Sequence, residues 1–270
     1  MEKSIEDFEI FLREKRLSTN SVKAYIKAVI MFENMYLEWT APNLNTFKDY
    51  LVANHKPQTV NLRILAINKY LDFIGKHKLQ LKPVKIHCKY FTDNVISNVE
   101  YSKMKERLSA EKDKQWFYMV WTMGATGARV SELVQIRIED IVAGYKDLVS
   151  KGGKSRRLYF PLPLRSEIIR WGTEEGRLSG YLFVNNKGER ITTRGFSIHL
   201  KKIAERCNIN KSVVYPHSFR HMFAKNFIEK YADLSMLADL LGHESVKTTQ
   251  IYLRRSSKEQ SMIVDNIVSW

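Results

Sequence analysis

The residues of this chain that could do chemistry together are a tyrosine, two histidines, two arginines and a lysine. In order along the sequence they are Arg129, Lys151, His217, Arg220, His243 and Tyr252. Phosphoryl transfer requires cations around the non-bridging oxygens, an in-line nucleophile and a proton donor for the departing oxygen. A phenol, whose ordinary pKa is about 10, attacks phosphorus only where a base or dense positive charge eases its ionisation. The set predicts that Tyr252 attacks a phosphodiester held by the cations, and this chemistry requires neither a metal nor a cofactor.

Tyr252 is distinguished by its position nine residues after His243. An apolar helical pattern ends at Gly242, whose missing Cβ suits a C-terminal cap, and Ser245 can cap the short helix that follows. Tyr252 lies near the far end of that short helix. A tyrosine at such a place is usually a surface or interface residue, so the joint pattern, and not Tyr252 alone, indicates a nucleophile.

A helix predicted to begin at Pro216 carries His217 and Arg220 one turn apart, on the face opposite its apolar stripe. This face predicts an anion pocket pointing away from the core, although polar helix faces often produce such pairs by chance. A zinc site at His217 and His221 is the other interpretation. Its metalloprotease form needs Glu directly after the first histidine, where Ser218 stands, so we expect no metal.

Arg129 and Glu132 lie three positions apart, near the start of a helix after Gly127. Such a pair is commonly a surface ion pair that contributes little to stability. In the functional interpretation the guanidinium binds a phosphate and Glu132 fixes its orientation, or that of a nearby histidine. Taken alone, the pair is interpreted as a surface ion pair.

Two short extended segments flank Lys151-Gly152-Gly153-Lys154 and predict a β-hairpin. A lysine beside a turn is usually solvated, but a hairpin tip can place an ammonium in a groove or against a leaving-group oxygen. Further positive charge at this hairpin predicts phosphate contacts. The residues concerned are Lys154, Arg156 and Arg157.

The first ninety or so residues show only helical periodicity, with helices expected after Ser18, near Thr46 and over residues 58–75. Arg63 and Lys69, on the polar side of the third helix, are candidate DNA contacts. Residues 76–90 are basic and lack a clear period, which indicates a linker that is either merely solvated or crosses a duplex backbone.

We therefore predict two domains, a helical one over residues 1–88 and a catalytic one over residues 89–270. The second mixes helices with the hairpin and with a further strand at 182–184. The predicted fold class is mainly α with a small β component.

Lysine and arginine outnumber aspartate and glutamate by 44 to 29, which gives a net charge of +15. Such a balance points to an anionic partner, either nucleic acid or a membrane surface. The sequence contains no apolar run of membrane-spanning length and no signal peptide, so we expect a cytoplasmic protein. Two isolated cysteines fit a reducing compartment.

Several ordered motifs together resemble the tyrosine recombinase family, also called the phage integrase family. They are Ala125-Thr126-Gly127-Ala128-Arg129-Val130-Ser131-Glu132-Leu133, the Lys151 hairpin, His217-Ser218-Phe219-Arg220-His221, Leu241-Gly242-His243 and Thr249-Gln250-Ile251-Tyr252. The resemblance spans most of residues 95–258, and the amino-terminal helices are similar to the family's core-site-binding domain. It implies a simple two-domain member without an arm-site-binding domain, which closes as a C-shaped clamp round a duplex.

The resemblance also implies roles for the six residues. Arg129 and Arg220 would bind the scissile phosphate, with His243 hydrogen-bonded to it and His217 as proton acceptor or hydrogen-bond partner. Lys151, preferred over Lys154 because it leads the Gly-Gly turn, would protonate the 5′-hydroxyl. Tyr252 would form a 3′-phosphotyrosyl bond, which conserves the energy needed to reseal the strand.

The implied partners are double-stranded DNA at specific sites and further copies of the chain. The family acts as a homotetramer on two DNA sites; a monomer in solution and accessory proteins remain open. An apolar strip on a terminal helix at about 258–270 is expected to dock either on a neighbouring subunit or within its own fold.

The resulting hypothesis is a site-specific DNA recombinase or integrase that cuts and rejoins strands through Tyr252. A type IB-like topoisomerase would share this chemistry but relax supercoiled DNA as a monomer. A non-catalytic DNA-binding regulator with the same fold is the third hypothesis, although a binder needs positive charge and no nucleophile.

Overall fold

The computed structural model describes residues 4–86, 94–149, 155–243, 246–253 and 257–268. The chain forms two compact units, Met1–Cys88 and Lys89–Trp270. Helices dominate the described residues and one antiparallel pair of strands accompanies them, which confirms the prediction of a mainly α fold with a small β component. Within these ranges no helix is both long and apolar enough to cross a membrane.

The first unit is helical throughout its regular part. Its elements are α1 (Ile5–Glu14), α2 (Thr19–Glu33), α3 (Ala41–Asn54), α4 (Pro57–Phe73) and a 3-10 turn (His77–Leu79). Hydroxyl side chains cap the first three helices by accepting a backbone N–H three residues later, at Ser4, Ser18 and Thr40. Because Thr40 supplies this cap, α3 begins at Ala41 and not near Thr46 as its apolar spacing predicted.

Aromatic rings form the centre of the first unit. Phe32 stacks on Trp39 with ring centroids 4.1 Å apart and meets Phe47 edge-on at 5.2 Å. Phe8 meets Tyr70 edge-on at 5.0 Å. The three phenylalanines are fully buried, and each such side chain contributes roughly 1.5–3 kcal/mol through removal of its apolar area from water. Four helices therefore share one core.

Two asparagines of α4 hold the chain segment that follows the helix. The Asn61 amide accepts from the Val84 nitrogen at 2.8 Å and donates to the Val84 oxygen at 2.9 Å. Asn68 makes the same pair of bonds with Leu81, at 2.8 and 2.9 Å. Each amide thus satisfies a backbone residue much as a neighbouring strand would. The first part of the predicted linker is accordingly held along α4.

The second unit contains all the remaining elements. They are α5 (Asn98–Ser109), α6 (Gln115–Thr126), α7 (Val130–Leu133), α8 (Ile138–Ala143), β1 (Tyr145–Val149), β2 (Ser155–Tyr159), α9 (Leu162–Glu174), α10 (Thr193–Arg206), α11 (Pro216–Tyr231), α12 (Leu234–Leu241), α13 (Val246–Thr249), a 3-10 turn (Gln250–Leu253) and α14 (Ser257–Ile267). Its main core is built from α5, α6, α9, α10 and α11 around buried residues such as Met119, Phe196 and Phe219.

The predicted hairpin is present as β1 and β2, which pair antiparallel from Tyr145 opposite Tyr159 to Val149 opposite Ser155. The prediction of a further strand at 182–184 is wrong, because only isolated bridges occur there, at Tyr181 and Val184. The Gln115 side chain bonds both the nitrogen and the oxygen of Val184, at 2.8 and 3.0 Å. A side chain thereby takes the bonds that a partner strand would need.

Candidate active site

Arg220 lies at the centre of the site, on the first turns of α11. The residue is only 3% exposed. Nη1 donates to the Gly127 oxygen at 2.9 Å and Nη2 to the Leu241 oxygen at 2.5 Å. These oxygens lie at the carboxyl ends of α6 and α12, where helix carbonyls lack internal partners and favour a cation. Burial and the Arg129 charge lower the pKa of Arg220 to about 10, so it remains a cation at neutral pH.

The carboxyl end of α12 gathers three arginines. Three consecutive backbone oxygens there each accept a hydrogen bond from a different guanidinium. The pairs are Leu240 with Arg156, Leu241 with Arg220, and Gly242 with Arg129. Carbonyls that a helix leaves unpaired at its end are in this way all used to hold cations in one place.

Two glycines in the left-handed region make this arrangement possible. Gly127 (φ 62°) ends α6 and Gly242 (φ 61°) ends α12. A Cβ on Gly127 would lie 2.6 Å from the Phe223 ring, and one on Gly242 would lie 2.2 Å from Cδ of Arg156. The two turns lead directly into the segments that carry Arg129 and His243, so glycine at each turn sets where those side chains start.

Arg129 and Glu132 form a partly buried pair and not the fully solvated surface pair considered from the sequence. Arg129 Nη1 donates to Glu132 Oε1 at 2.9 Å, and its backbone nitrogen donates to Oε2 at 2.7 Å. The Glu132 side chain is 13% exposed, against 34% for Arg129. Burial alone would raise the pKa of Glu132, but the Arg156 charge and the hydrogen bonds from both arginines outweigh it and lower that pKa. Glu132 is therefore a fixed anion that orients Arg129.

His243 follows Gly242 and bridges two partners. Its Nε2 lies 3.1 Å from Arg220 Nη2 and its Nδ1 lies 2.8 Å from the buried Thr249 hydroxyl. A guanidinium can only donate, so Nε2 accepts and the ring proton belongs on Nδ1, which donates to Thr249. Burial and the charges of Arg220, Arg129 and Arg156 lower the pKa of His243 to about 4. The ring is consequently neutral near pH 7.

His217 begins the same helix as Arg220 and remains exposed. Partial burial and the charges of Arg220 and Arg129 lower the pKa of His217, which keeps its ring neutral and able to accept a proton. Between these two residues Ser218 is fully buried, and its hydroxyl accepts the Ile96 nitrogen at 2.7 Å. That bond anchors the first turn of α11 to the start of the described part of the second unit.

Tyr252 lies in the 3-10 turn after α13 and is 9% exposed. Its ring stacks on His243, with centroids 5.8 Å apart at 17°, and meets His221 edge-on at 5.0 Å. Tyr252 also packs in a small apolar cluster with Leu237 and Leu241. The tyrosine is thus brought to the same end of α12 as the arginines.

The other predicted site residues on strand β2 point to opposite sides. Arg157 is exposed and paired with Asp147 at 2.8 Å, whereas Arg156 turns into the interior. Arg63 is half-buried with its guanidinium beside the Met31 sulfur, and Lys69 is exposed, 4.0 Å from Asp72. Lys151 and Lys154 lie outside the described residues. In the part that is described, no three His, Cys, Asp or Glu side chains are grouped closely enough to hold a metal ion.

Sequence reasoning placed the Arg220 face of α11 away from the core, and the structure corrects this. Arg220 and Ala224 are both buried, because α12 and the turn with Tyr252 cover that face. It also missed the contacts of His221 and Thr249 with Tyr252 and His243. For Arg156 a signal was available: strand alternation places it on the same face as the buried Leu158.

Residues 95–259, more than half of the chain, match the phage integrase family. The chain belongs to that family. Among its relatives, tyrosine recombinase XerA of Pyrococcus furiosus is 27% identical over 277 residues, which cover 98% of this chain and 96% of the relative. Tyrosine recombinase XerD of Rickettsia bellii is 28% identical over 285 residues, covering 90% and 91%.

Solved structures of a site-specific recombinase and of an integrase share the fold. The XerH recombinase bound to its difH substrate before cleavage superposes with a TM-score of 0.72 at 18% identity, covering 97% of this chain and 84% of that one. A lambda integrase tetramer bound to a Holliday junction gives 0.73 at 14% identity, covering 92% and 75%. The family match and the recombinase relatives identify the chain as an enzyme of the tyrosine-type site-specific DNA recombinase class and favour this class over the topoisomerase and regulator hypotheses.

Proposed function

We propose that Tyr252 is the nucleophile of DNA cleavage and that Arg129 and Arg220 bind the non-bridging oxygens of the scissile phosphate. The Tyr252 oxygen forms a bond to phosphorus while the bond from phosphorus to the 5′-oxygen breaks. The product is a 3′-phosphotyrosyl enzyme and a free 5′-hydroxyl. Attack of another 5′-hydroxyl on that linkage reverses the step and releases Tyr252, so rejoining needs no external energy source.

Proton transfers complete the proposed step. His217, exposed and neutral, accepts the phenolic proton from Tyr252. Lys151 donates a proton to the departing 5′-oxygen. When DNA is bound, the proton of the neutral His243 ring lies on Nε2 and is donated to a phosphate oxygen, while Nδ1 accepts from the Thr249 hydroxyl. Each proton that moves during cleavage then has a donor or an acceptor among the residues of this chain.

The observation that carries the proposal is the convergence at the end of α12. Arg220 and Arg129 bind the consecutive backbone oxygens of Leu241 and Gly242 there, and His243 is the next residue. The Tyr252 ring stacks on His243, with centroids 5.8 Å apart. Positive charge fixed before the substrate arrives stabilises the charge that develops on phosphate without reorganisation. Tyr252 is 9% exposed, and we propose that its turn shifts on DNA so that the phenolic oxygen reaches phosphorus.

We propose double-stranded DNA at specific sites as the substrate, with Arg63, Lys69 and the hairpin cations Lys154 and Arg157 among the phosphate contacts of the two units. We also propose a homotetramer on two such sites, and action in the cytoplasm because the substrate is DNA. The net charge of +15 supports a polyanionic partner.

The test uses a nicked suicide DNA substrate, on which cleavage traps the covalent complex. Tyr252→Phe removes the attacking oxygen and leaves the ring that packs against His221 and His243. We expect DNA binding to be retained and the covalent adduct to disappear on a denaturing gel.

The matched control is Tyr231→Phe, a tyrosine on α11 that is 62% exposed. This variant should form the adduct at the rate of the unaltered protein. An undiminished adduct with Tyr252→Phe would show that another residue attacks the phosphate.

A further inference from the structure

Arg156 is the third arginine at the end of α12 and has no role in the reaction proposed above. We propose that it is a positioning residue for cleavage, which ties strand β2 to Glu132 and to the carboxyl end of α12 and thereby fixes Arg129 and His243. This inference rests on the proposed function, since cleavage is the activity it serves.

Arg156 uses both arms of its guanidinium inside the protein. Nη2 lies 2.5 Å from Glu132 Oε2, and Nη1 donates to the Leu240 oxygen. Its side chain is 7% exposed. Its neighbours Ser155 and Arg157 point to the other side of the strand, toward solvent. With Nη2 on Glu132 and Nη1 on the end of α12, Arg156 is placed to act on Arg129 and on the segment before His243.

Glu132 transmits the first part of this effect. One of its oxygens, Oε1, binds Arg129 Nη1, while Oε2 is shared by the Arg129 backbone nitrogen and Arg156. A buried carboxylate that loses one of its cations is left with an uncompensated charge. Without Arg156, the Glu132 carboxylate is free to turn or to take up a proton, and the orientation of Arg129 is released with it.

The backbone before His243 transmits the second part. The stem of Arg156 lies directly against Gly242, where a Cβ would come within 2.2 Å of its Cδ. Its Nη1 holds the Leu240 oxygen, one residue before the carbonyl that binds Arg220. Arg156 therefore sets the path of the segment on which His243 begins.

A matched pair of arginine variants tests the proposal. Arg156→Gln removes the buried cation, and Arg170→Gln removes an exposed one on α9 that is paired with Glu167. Single-turnover cleavage of the nicked substrate at saturating protein separates the rate from DNA affinity. We expect Arg156→Gln to cleave about 10- to 100-fold more slowly, the range typical of residues that orient a site, with affinity within about threefold. Arg170→Gln should keep the cleavage rate.

Two further readouts distinguish positioning from a general loss of structure. If Arg156 acts through Glu132, Arg156→Gln combined with Glu132→Gln should cleave no more slowly than the slower single variant, whereas independent roles would multiply. Arg156→Gln should also move the acid limb of the cleavage rate to higher pH. The physical reason is that Arg156 is the strongest influence lowering the pKa of Glu132 against its burial.

Arg156→Lys keeps the charge and the stem but lacks the fork that spans two acceptors. We expect an intermediate rate, and this variant decides the matter if Arg156→Gln does not fold. A rate equal to that of the unaltered protein with Arg156→Lys or Arg156→Gln, or multiplying effects with Glu132→Gln, would overturn the inference. Absence of any Tyr252-dependent adduct in the unaltered protein would instead overturn the proposed function.

Discussion

At the scale of single residues, His243 has its protonation state fixed by its neighbours. Arg220 donates to one ring nitrogen and Thr249 accepts from the other. The cations facing it are Arg220 from α11, Arg129 before α7 and Arg156 from β2, with His221 also nearby. A ring in this position costs more to protonate than to leave neutral, because a second proton would face three guanidinium groups.

The first prediction at this scale concerns stability against pH. The pKa of His243 is about 4 in the folded chain and 6.5 for an ordinary histidine. Between these values the unfolded chain binds more protons, so stability is full above about pH 6.5 and is lost as the pH falls toward 4. Thermal unfolding at pH 7, 5.5 and 4.5 should show a falling midpoint. His243→Gln, which cannot titrate, should fall less steeply, and an equal slope would contradict the assignment.

At the scale of secondary-structure elements, helix ends do most of the positioning in this protein. The apolar spacing and a proline at the first position, Pro216, correctly predicted α11, and Gly242 correctly predicted the end of α12. The first helix of the chain and the early start of α3 depend on caps at Ser4 and Thr40, which periodicity does not register. The sequence thus predicts elements well where one local signal suffices.

The candidate site was foreseeable in its members but not in its connections. Arg129, Arg220, His243 and Tyr252 stand in recognisable motifs. Three arginines bind the carbonyls of one helix end because the fold brings distant segments together. Arg156 and Leu240, for example, are more than 80 residues apart in sequence. Bonds from side chain to backbone leave no pattern in the identity of the accepting residue, so the sequence could not reveal them.

A prediction at the element scale concerns the asparagines of α4. Asn61→Ala leaves the Val84 nitrogen and oxygen without their partner, which should lower the free energy of unfolding by about 1–3 kcal/mol. Amide exchange should accelerate at Val84 and less at Leu81, which Asn68 still holds. Asn54→Ala, which removes one exposed bond to Tyr50, is the control. Unchanged protection at Val84 would show that Asn61 does not hold the segment.

At the scale of the whole molecule, the terminal helix α14 leaves an apolar surface uncovered in a single chain. Met262, Val264, Ile267 and Val268 are 54%, 55%, 63% and 43% exposed. The predicted strip also included Ile263 and Trp270, and nothing is described of those two side chains. Apolar surface of this kind is usually covered by a partner, and we predict that a neighbouring subunit covers it.

The corresponding prediction separates assembly from chemistry. Val264→Asp with Ile267→Asp should leave cleavage of a single-site suicide substrate unchanged but reduce complexes that hold two DNA sites, measured on native gels, together with recombinant product. Asn266→Asp adds charge at an exposed polar position of the same helix and should change neither. Normal two-site complexes with the double variant would show that α14 does not join subunits.

The three carbonyls that end α12 have a consequence for mutational tolerance. Their hydrogen bonds to Arg129, Arg156 and Arg220 use backbone oxygens, which no side-chain replacement can delete. Position 240 can therefore vary among good helix formers while the arginines stay in place. Position 242 cannot, because any other residue would need a left-handed backbone and room that Arg156 occupies. After random substitution in this turn, the active variants should therefore carry varied residues at position 240 and only glycine at position 242.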